Sequence, residues 1–316
     1  MDRRSLCAAV TLAVLLLAGC VGRDVAEGEV PDGGTGSEDG SAAADAAGQD
    51  AGQGCLPGCT PGEMVEMEGG EFWQGCFKTV DTECDYSEDP YHKVTLSPYR
   101  IDKYEVTMGE FAKCIDAKVC AHRLDDGDCI VLSGTAFVPG ILEDSFREPM
   151  RPVVCVDWHQ ARAYCEWVGK RLPTEAEWEF AARGSAGYKY PWGNSPKVSC
   201  ELAVIHEPGS GPEELGCGTQ GTLPIGSRPG GASPSGVQDM IGNVWEWAAD
   251  WFDASYYQNS PDTDPKGPAT GSVRTVRGGG WSTISTQDLR ASNRHGYDPK
   301  GANSSIGFRC AASAGE

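Results

Sequence analysis

Three stretches of the chain repeat apolar residues with the period of an α-helix, and each begins with a helix-capping residue. The first begins at Thr107, where the order Thr-x-x-Glu forms a capping box with Glu110. Its apolar positions lie on one face: Phe111, Cys114 and Ile115. These signals predict a helix that begins after Thr107 and packs one side against a core.

Two later stretches carry the same signals. One begins at Asp157 and ends at Gly169, and the other begins with the capping box of Thr174 and Glu177 and ends at Gly184. Apolar positions of the former recur with helical spacing: Ala161, Tyr164, Cys165 and Val168. We therefore expect three helices, each with an apolar face and none with chemistry of its own.

Elsewhere the pattern is irregular, with short strand-like runs separated by long loops rich in Gly and Pro. The clearest runs are 92–107, 271–281 and 305–311. This arrangement predicts an α+β domain rather than a doubly wound parallel sheet. Because such long loops need bracing, we expect disulfides or bound ions to supply it.

The first twenty residues read as a bacterial export signal. Arg3 and Arg4 precede an apolar run from Leu6 to Leu17 that is too short to span a bilayer. Its ending, Leu-Ala-Gly-Cys, resembles the lipobox, which implies cleavage before Cys20 and lipidation of that thiol. Ordinary cleavage that leaves Cys20 free is the alternative. With Val21 rather than aspartate after the cysteine, we expect a lipid anchor in the cell envelope, in the outer membrane.

The next segment, 21–54, consists mostly of Gly, Ala, Ser and acidic residues and has almost nothing to bury. Such a segment does not offset its ordering entropy, so we expect a disordered tether over 20–54 that follows a signal peptide over 1–19. Residues 55–316 are left for one folded domain. The formal net charge of −20 argues against binding to nucleic acid.

Fourteen cysteines in an exported chain indicate disulfides. Cys200 with Cys217, and Cys76 with Cys84, flank insertions, so we expect local bridges at those loops. A zinc site at Cys55-x-x-x-Cys59 is the weaker alternative, because no partner motif is present. Three more bonds are expected among residues whose pairing the sequence leaves open: Cys55, Cys59, Cys114, Cys120, Cys129 and Cys155.

A series of motifs, in order, resembles the formylglycine-generating enzyme (sulfatase-modifying factor) family. They are "MVEMEGGEFWQGC", "HKVTLSPYRIDKYEVTMGEFAKC", "RPVVCVDWHQARAYCEWVGKRLPTEAEWEFAARG", "YPWGN", "GVQDMIGNVWEWAADWF", "RTVRGGGW" and "GFRCA". The resemblance covers 62–314. It implies a single C-type-lectin-like domain with small twisted antiparallel sheets, few helices, much ordered loop and several disulfides, one of them between Cys165 and Cys310.

Active members of that family use oxygen and copper to oxidise a cysteine in a C-x-P-x-R motif of a sulfatase to formylglycine. Two cysteine thiolates hold the copper, because soft sulfur ligands select Cu(I). By alignment, Thr283 and Thr286 occupy the positions of these cysteines, and Gly280 that of a neighbouring serine. A threonine hydroxyl does not ionise near neutral pH and binds Cu(I) poorly, so we expect no catalytic residue here and no bound copper.

The resemblance also implies a calcium site. Its ligands correspond to the side chains of Asp239 and Glu246 and to the carbonyls of Gly242 and Val244. Carboxylates and carbonyls are the oxygen ligands that calcium prefers. In the alternative interpretation, the two acids are ordinary loop residues.

Two classes of function remain open. The first is a lipid-anchored binding or scaffold domain whose cleft, beside Trp281 and Arg294, accepts a peptide, protein or glycan. The second is an oxidoreductase, either a formylglycine-generating oxidase or another enzyme that uses the same cleft. A hydrolytic set built from His295, Asp298 and nearby serines is disfavoured, because nothing in the pattern fixes a base beside a nucleophile. The arginines at 277, 294 and 309 are expected to form charge-paired framework, and the sequence makes no prediction about the oligomeric state.

Overall fold

A computed structural model of the protein describes residues 59–121 and 127–315. The expected signal peptide, Cys20 and the expected tether lie outside these residues. Across the described ranges, none of the helices combines the length and the apolarity that crossing a membrane requires.

The three predicted helices are present: α1 (Met108–Asp116), α2 (Trp158–Trp167) and α3 (Glu175–Arg183). Thr107 and Thr174 form complete capping boxes, and Asp157 accepts a hydrogen bond from the backbone N–H three residues later. Gly184 ends α3 with a φ of 61°, a conformation that glycine adopts without strain.

The strands are short, as the broken pattern predicted. In chain order they are β1 (Met64–Met67), β2 (Gly70–Gln74), β3 (His92–Leu96), β4 (Tyr99–Asp102), β5 (Cys129–Ser133), β6 (Ala136–Gly140), β7 (Trp245–Trp251), β8 (Arg274–Arg277), β9 (His295–Tyr297), β10 (Ile306–Gly307) and β11 (Ala311–Ser313).

These strands form small sheets rather than one large one. One sheet has the order β1-β4-β11 and is antiparallel throughout. Another has the order β10-β7-β8-β9, in which only the β10–β7 pair is parallel. β2 pairs with β3 and β5 with β6 as separate antiparallel hairpins. The α+β class and the loop-rich architecture are confirmed.

Buried ion pairs cross the core. Arg277 and Arg309 are fully buried, and each contacts a buried glutamate: Arg277 Nη2 lies 2.7 Å from Glu179, and Arg309 Nε lies 2.7 Å from Glu246. Because a buried charge is costly unless it is paired, these contacts fix the β7–β8 sheet against α3 and the chain end.

Disulfides brace the loops. The structure joins the three expected pairs, Cys76–Cys84, Cys165–Cys310 and Cys200–Cys217. Of the pairings that the sequence left open, it joins Cys114 to Cys120 and Cys129 to Cys155. Cys59 is also disulfide-bonded.

Candidate functional site

The glycine triplet at 278–280 brings the chain close to its neighbours. Gly278 has a φ of 94°, and a Cβ there would lie 2.8 Å from the carbonyl oxygen of Met240. A Cβ on Gly280 would lie 3.0 Å from the carbonyl oxygen of Ser305. The triplet is therefore required by close backbone packing, and it positions the residues that follow it.

Those residues line a cleft of about 470 Å³, which we call the main cleft. Its apolar walls come from three elements: Phe137 on β6, Trp245 on β7 and Tyr297 on β9, together with Ile284. Its polar atoms come chiefly from hydroxyl, carboxyl and imidazole groups: Ser282, Thr283, Ser285, Asp288, His295 and Ser305. The lining thus combines aromatic faces with a few polar groups, which is typical of a ligand site.

Trp281 does not form a wall of this cleft. Its ring is 3% exposed, its Nε1 donates a hydrogen bond to the carbonyl of Ser304 at 2.9 Å, and it packs against Phe146. The backbone N–H of Trp281 is bound to the carbonyl of Asn243, which directs the side chain inward. The half-buried Trp245 lines the cleft at which the sequence analysis expected Trp281.

Arg294 does not offer a free guanidinium to a ligand either. Its Nε and Nη2 each lie 2.6 Å from a carboxylate oxygen of Glu175, and Nη1 donates to the carbonyls of Ser87 and Asp253. The pKa of Glu175 is lowered because the charges of Arg294 and Arg277 outweigh the effect of its burial. Arg294 is therefore a charge-paired residue of the domain's framework, as the sequence analysis also predicted, rather than a ligand-binding residue.

The two threonines at the expected cysteine positions have different surroundings. Thr283 lines the main cleft, and its Oγ1 accepts a hydrogen bond from the backbone N–H of Gly280 at 3.0 Å. Thr286 does not line it; its Oγ1 donates to Glu83 Oε1 at 2.6 Å. Glu83 in turn accepts from Lys189 at 2.6 Å and lies in the loop closed by the Cys76–Cys84 bridge. An insertion loop thus holds Thr286, which sequence reasoning did not anticipate.

No described residue supplies a free thiol to this region. All cysteines of the ranges 59–121 and 127–315 are in disulfides. The sulfur atoms of Cys76 and Cys84 lie within 4.8 Å of a carboxylate oxygen of Glu88, but their mutual bond removes them as metal ligands.

His295 pairs with Asp288 rather than with Asp298. The distance from His295 Nε2 to Asp288 Oδ1 is 3.2 Å, and the ring lies edge-on against Trp245. Asp298 instead accepts a hydrogen bond from the backbone N–H of Lys300. Ser282 hydrogen-bonds to Ser305, and Ser285 accepts from the backbone N–H of Asp288. Among the described residues, no hydrogen bond joins Ser282 or Ser285 to the imidazole. The arrangement does not form a hydrolytic set.

The expected calcium ligands lie in a buried acidic cluster. Asp239 is 7% exposed, and Glu246 is 1% exposed. Glu246 accepts hydrogen bonds from Arg309 through both oxygens and from Trp178 Nε1. Asp239 accepts from the backbone N–H of Gly226 at 2.6 Å.

Glu105 is a member of this cluster that sequence reasoning missed. Its Oε1 accepts from Asn243 Nδ2 at 3.1 Å, whereas its Oε2 is buried without a partner. Burial raises the pKa of Glu105 well above its usual value, and the nearby charge of Asp239 raises it further. The guanidinium of Arg309 hydrogen-bonds to Glu246 and also compensates the charges of the nearby Glu105 and Asp239. Their oxygens are of the kind that calcium prefers, whereas both oxygens of Glu246 are already bound to Arg309. The only sequence signal was an acid within "YEVT", just before the capped helix.

A second cavity, of about 460 Å³, lies elsewhere and has a different character. Its charges are largely paired with each other: Arg162 with Glu166 and Arg171 with Glu177. The main cleft, with its aromatic walls, is the better candidate for a ligand.

Comparison with known proteins agrees with this architecture. A sequence profile of the sulfatase-modifying factor enzyme 1-like domain matches residues 56–314. The formylglycine-generating enzyme of Streptomyces coelicolor is 36% identical over 285 residues, which cover 79% of this chain and 89% of that enzyme. The inactive C-alpha-formylglycine-generating enzyme 2 of Bos taurus is 33% identical over 289 residues, covering 80% of this chain and 88% of that protein.

Among solved structures, PvdO from Pseudomonas aeruginosa is similar, with a TM-score of 0.64 and 27% identity over 79% of this chain and 94% of PvdO. The relatives include both an enzyme and a protein described as inactive, so similarity alone does not decide whether this chain catalyses a reaction. By profile, sequence and fold, the chain belongs to the sulfatase-modifying factor enzyme 1-like (FGE-sulfatase) family.

Proposed function

We propose that the protein is a lipid-anchored envelope protein whose family domain binds a peptide or glycan in the main cleft and performs no oxidation. The observation that carries the proposal is the pair of threonines at the two cysteine positions. Thr286 hydrogen-bonds to Glu83 outside the cleft that Thr283 lines. Copper held for oxygen needs two sulfur donors directed at one point, and these side chains offer hydroxyls directed at different neighbours.

The cysteine inventory supports the same proposal. A thiolate pair from other chain positions would restore a copper site, but within the described ranges every cysteine is oxidised. These cysteines instead form disulfides that brace the loops of the domain.

The lining of the main cleft supports a binding role. Phe137 is 45% exposed and Ile284 is 49% exposed, and they lie at a cleft whose inner wall includes Trp245. Exposed apolar side chains beside a concave aromatic wall are a common feature of binding sites. Serine hydroxyls on the same wall would orient a ligand.

Calcium is the cofactor that we propose for this domain. Asp239, Glu105 and Glu246, with the carbonyls of Gly242 and Val244, would hold it, and Glu105 supplies the unpartnered oxygen that favours an added cation. When bound, calcium supplies charge compensation and cross-links loops. Of these ligands, Glu246 already gives both of its oxygens to Arg309, so calcium would have to share that carboxylate with the guanidinium.

The proposed anchor is Cys20, and its support comes from the sequence alone. Acyl chains on that residue would hold the protein at the outer membrane without a spanning helix. Labelling of cells with a radioactive or clickable fatty acid tests this proposal. A labelled wild-type chain and an unlabelled Cys20→Ser chain are expected, whereas equal labelling of both would contradict the anchor.

The decisive test of the proposed function is an oxidation assay. The purified full-length chain is incubated with Cu(I), oxygen and a peptide that carries C-x-P-x-R, and the peptide mass is followed. The Streptomyces coelicolor relative serves as the positive control. We expect no conversion and no stoichiometric tight binding of Cu(I). Conversion of the cysteine to formylglycine would instead establish the alternative function, a formylglycine-generating oxidase.

A further inference from the structure

The disulfide Cys76–Cys84 closes a surface loop that supports the main cleft from outside. Glu83 of this loop accepts a hydrogen bond from Thr286 Oγ1 at 2.6 Å. Thr286 belongs to the segment 282–288, which we call the cleft wall because most of its residues line the main cleft, whereas Thr286 itself does not. The loop therefore holds the cleft wall on the side that faces away from the ligand space.

A second link between the loop and this region passes through Asp81. Its side chain is 6% exposed and lies 3.1 Å from Arg290 Nη1, two residues beyond the cleft wall. Lys189 joins the two acids of the loop, at 3.1 Å from Asp81 and 2.6 Å from Glu83. Because charge-assisted bonds between buried groups need accurate geometry, these links depend on the shape that the disulfide gives to the loop.

Solvent reaches this disulfide from one side. Cys76 is 2% exposed, whereas Cys84 is half-buried. The loop residues 77–80 are exposed, and so is Thr82, so nothing in the loop covers Cys84. A thiolate from solution therefore attacks the sulfur of Cys84, and Cys76 becomes the leaving group.

The sulfur of Cys76 has a cation beside it. Arg290 Nη1 lies 3.5 Å from Cys76 Sγ, in the position of a hydrogen-bond donor. A guanidinium at this place stabilises a thiolate, and a more stable thiolate leaves faster. The carboxylates of Glu88 and Asp81 bind the same guanidinium and act against a thiolate. Neither of them offers the sulfur a donor, so Arg290 is the group that assists the exchange.

The other disulfides lack this combination of access and charge. Five bridges have both cysteines in the ranges 59–121 and 127–315. Both ends are buried in three of them: Cys114–Cys120, Cys129–Cys155 and Cys165–Cys310. Cys200–Cys217 is half-buried at both ends, but its sulfurs lie near the carbonyl oxygens of Ala203 and Ile205. The partial negative charge of a carbonyl disfavours a thiolate, so this bridge is the matched control.

We propose that Cys76–Cys84 is a thiol–disulfide exchange site for a dithiol, and that its reduction releases the outer support of the cleft wall. One thiolate of the dithiol bonds to Cys84 Sγ, the Cys76–Cys84 bond breaks, and Cys76 leaves as a thiolate beside Arg290. The second thiolate of the dithiol attacks its partner sulfur in the mixed disulfide and expels Cys84. Two electrons and two protons pass to the protein, which gains two thiols, and the dithiol becomes a cyclic disulfide. An effect of this release on ligand binding rests on the proposed function of the main cleft.

The first experiment ranks the disulfides by their rate of reduction. The oxidised full-length protein is treated with dithiothreitol without denaturant, free thiols are alkylated at intervals, and peptide mass spectrometry identifies the cysteines that have reacted. We expect Cys76 and Cys84 to be alkylated at least about tenfold faster than Cys200 and Cys217, because their leaving group is stabilised. Equal rates, faster reduction of Cys200–Cys217, or no reduction of either bridge would overturn the exchange site.

Hydrogen exchange tests the link to the cleft. The amides of 282–288 are expected to exchange at least about tenfold faster after reduction of Cys76–Cys84, because an open loop no longer holds them. The amides of α2 should be unaffected. Cys76→Ser/Cys84→Ser should reproduce the effect without a reductant. Unchanged exchange of 282–288 in both samples would overturn the release of the cleft wall.

A matched pair of variants locates the contact that carries this link. Thr286→Val removes the hydroxyl that reaches Glu83, so it should speed exchange of 282–288 in the oxidised protein and leave less for reduction to release. Thr82→Val makes the same change at an exposed residue of the loop and should have no effect. Equal effects of the two variants would overturn the role of the Thr286–Glu83 contact. No ligand enters these measurements, so their failure is distinguishable from a failure of ligand binding in the main cleft.

Discussion

The buried pair Arg290–Glu88 gives the sharpest test of how the short 3-10 helix Tyr86–Glu88 is held in the domain. Both side chains are 0% exposed, and Arg290 Nη2 lies 2.5 Å from Glu88 Oε1. Arg290→Met keeps most of the side-chain volume but leaves the Glu88 carboxylate without its charge partner. Removal of one member of a buried pair costs about 3–5 kcal/mol, because the other charge stays buried and uncompensated. Asp81 also contacts Arg290, but it keeps Lys189 at 3.1 Å and adds less to the cost.

The free energy of unfolding is measured by chemical denaturation with the disulfides intact. For a domain of this size, a loss of 3–5 kcal/mol corresponds to a fall in Tm of roughly 6–20 °C. The exposed pair Arg162–Glu166, with side chains 55% and 54% exposed, supplies the matched control. Arg162→Met is expected to cost less than about 1 kcal/mol.

A double variant separates the charge effect from lost packing. Arg290→Met with Glu88→Leu removes both charges, so it should recover much of the stability that Arg290→Met loses. If Arg290→Met costs no more than Arg162→Met, or if the double variant is less stable than the single one, the reasoning about uncompensated buried charge is refuted.

Three further predictions concern the site and its surroundings. The double variant Thr283→Cys/Thr286→Cys is expected not to gain stoichiometric Cu(I) binding, because residue 286 does not line the cleft that residue 283 lines. A copper titration that saturates at one equivalent would contradict this. Saturating calcium should raise Tm, because a ligand at 100 times its Kd stabilises the folded state by about 2.7 kcal/mol. The increase is measured as the difference in Tm between melts with calcium and melts with EDTA, and Glu105→Gln should reduce it. Burial raises the pKa of Asp250 to about 8, with the charge of Glu175 adding to the effect. Because the folded state then holds this proton more tightly than the unfolded chain does, the contribution of Asp250 to stability is complete below pH 4 and is lost as the pH rises to 8. Asp250→Asn should therefore make the free energy of unfolding depend less on pH between 4 and 8. An unchanged pH dependence would refute the assignment.

The elements with local signals could be predicted from the sequence. Thr107, Asp157 and Thr174 are capping residues next to periodic apolar positions, and the helices begin at each of them. The bridges of Cys76–Cys84 and Cys200–Cys217 close short loops, so proximity along the chain was enough to suggest them.

The side to which a loop residue points could not be predicted in the same way. Trp281 follows three glycines, and no periodicity decides whether its ring faces the cleft or the core. Backbone and side-chain hydrogen bonds to Asn243 and Ser304 decide it, and both partners are distant in sequence. The contact of Thr286 with Glu83 could not be predicted either, because Glu83 lies in an insertion that is distant from Thr286 in the sequence.

The acidic cluster shows how far sequence reasoning reached. Asp239 and Glu246 were expected to be calcium ligands because the family resemblance implies it, and they lie within one short motif. Glu105 was missed because it comes from a separate part of the chain and meets them only in the folded state, where Asn243 links it to the motif.

The last strand, β11, has a consequence for how the domain forms during biosynthesis. It completes a sheet with β4, near the start of the domain, and Cys310 beside it is bonded to Cys165 across 145 residues. Because contacts between distant residues form late, a ribosome must release nearly the whole polypeptide before this sheet can close. A nascent chain that stops before Cys310 would leave one edge of β4 unpaired and the thiol of Cys165 unoxidised. Quality-control proteases can recognise such a truncated product.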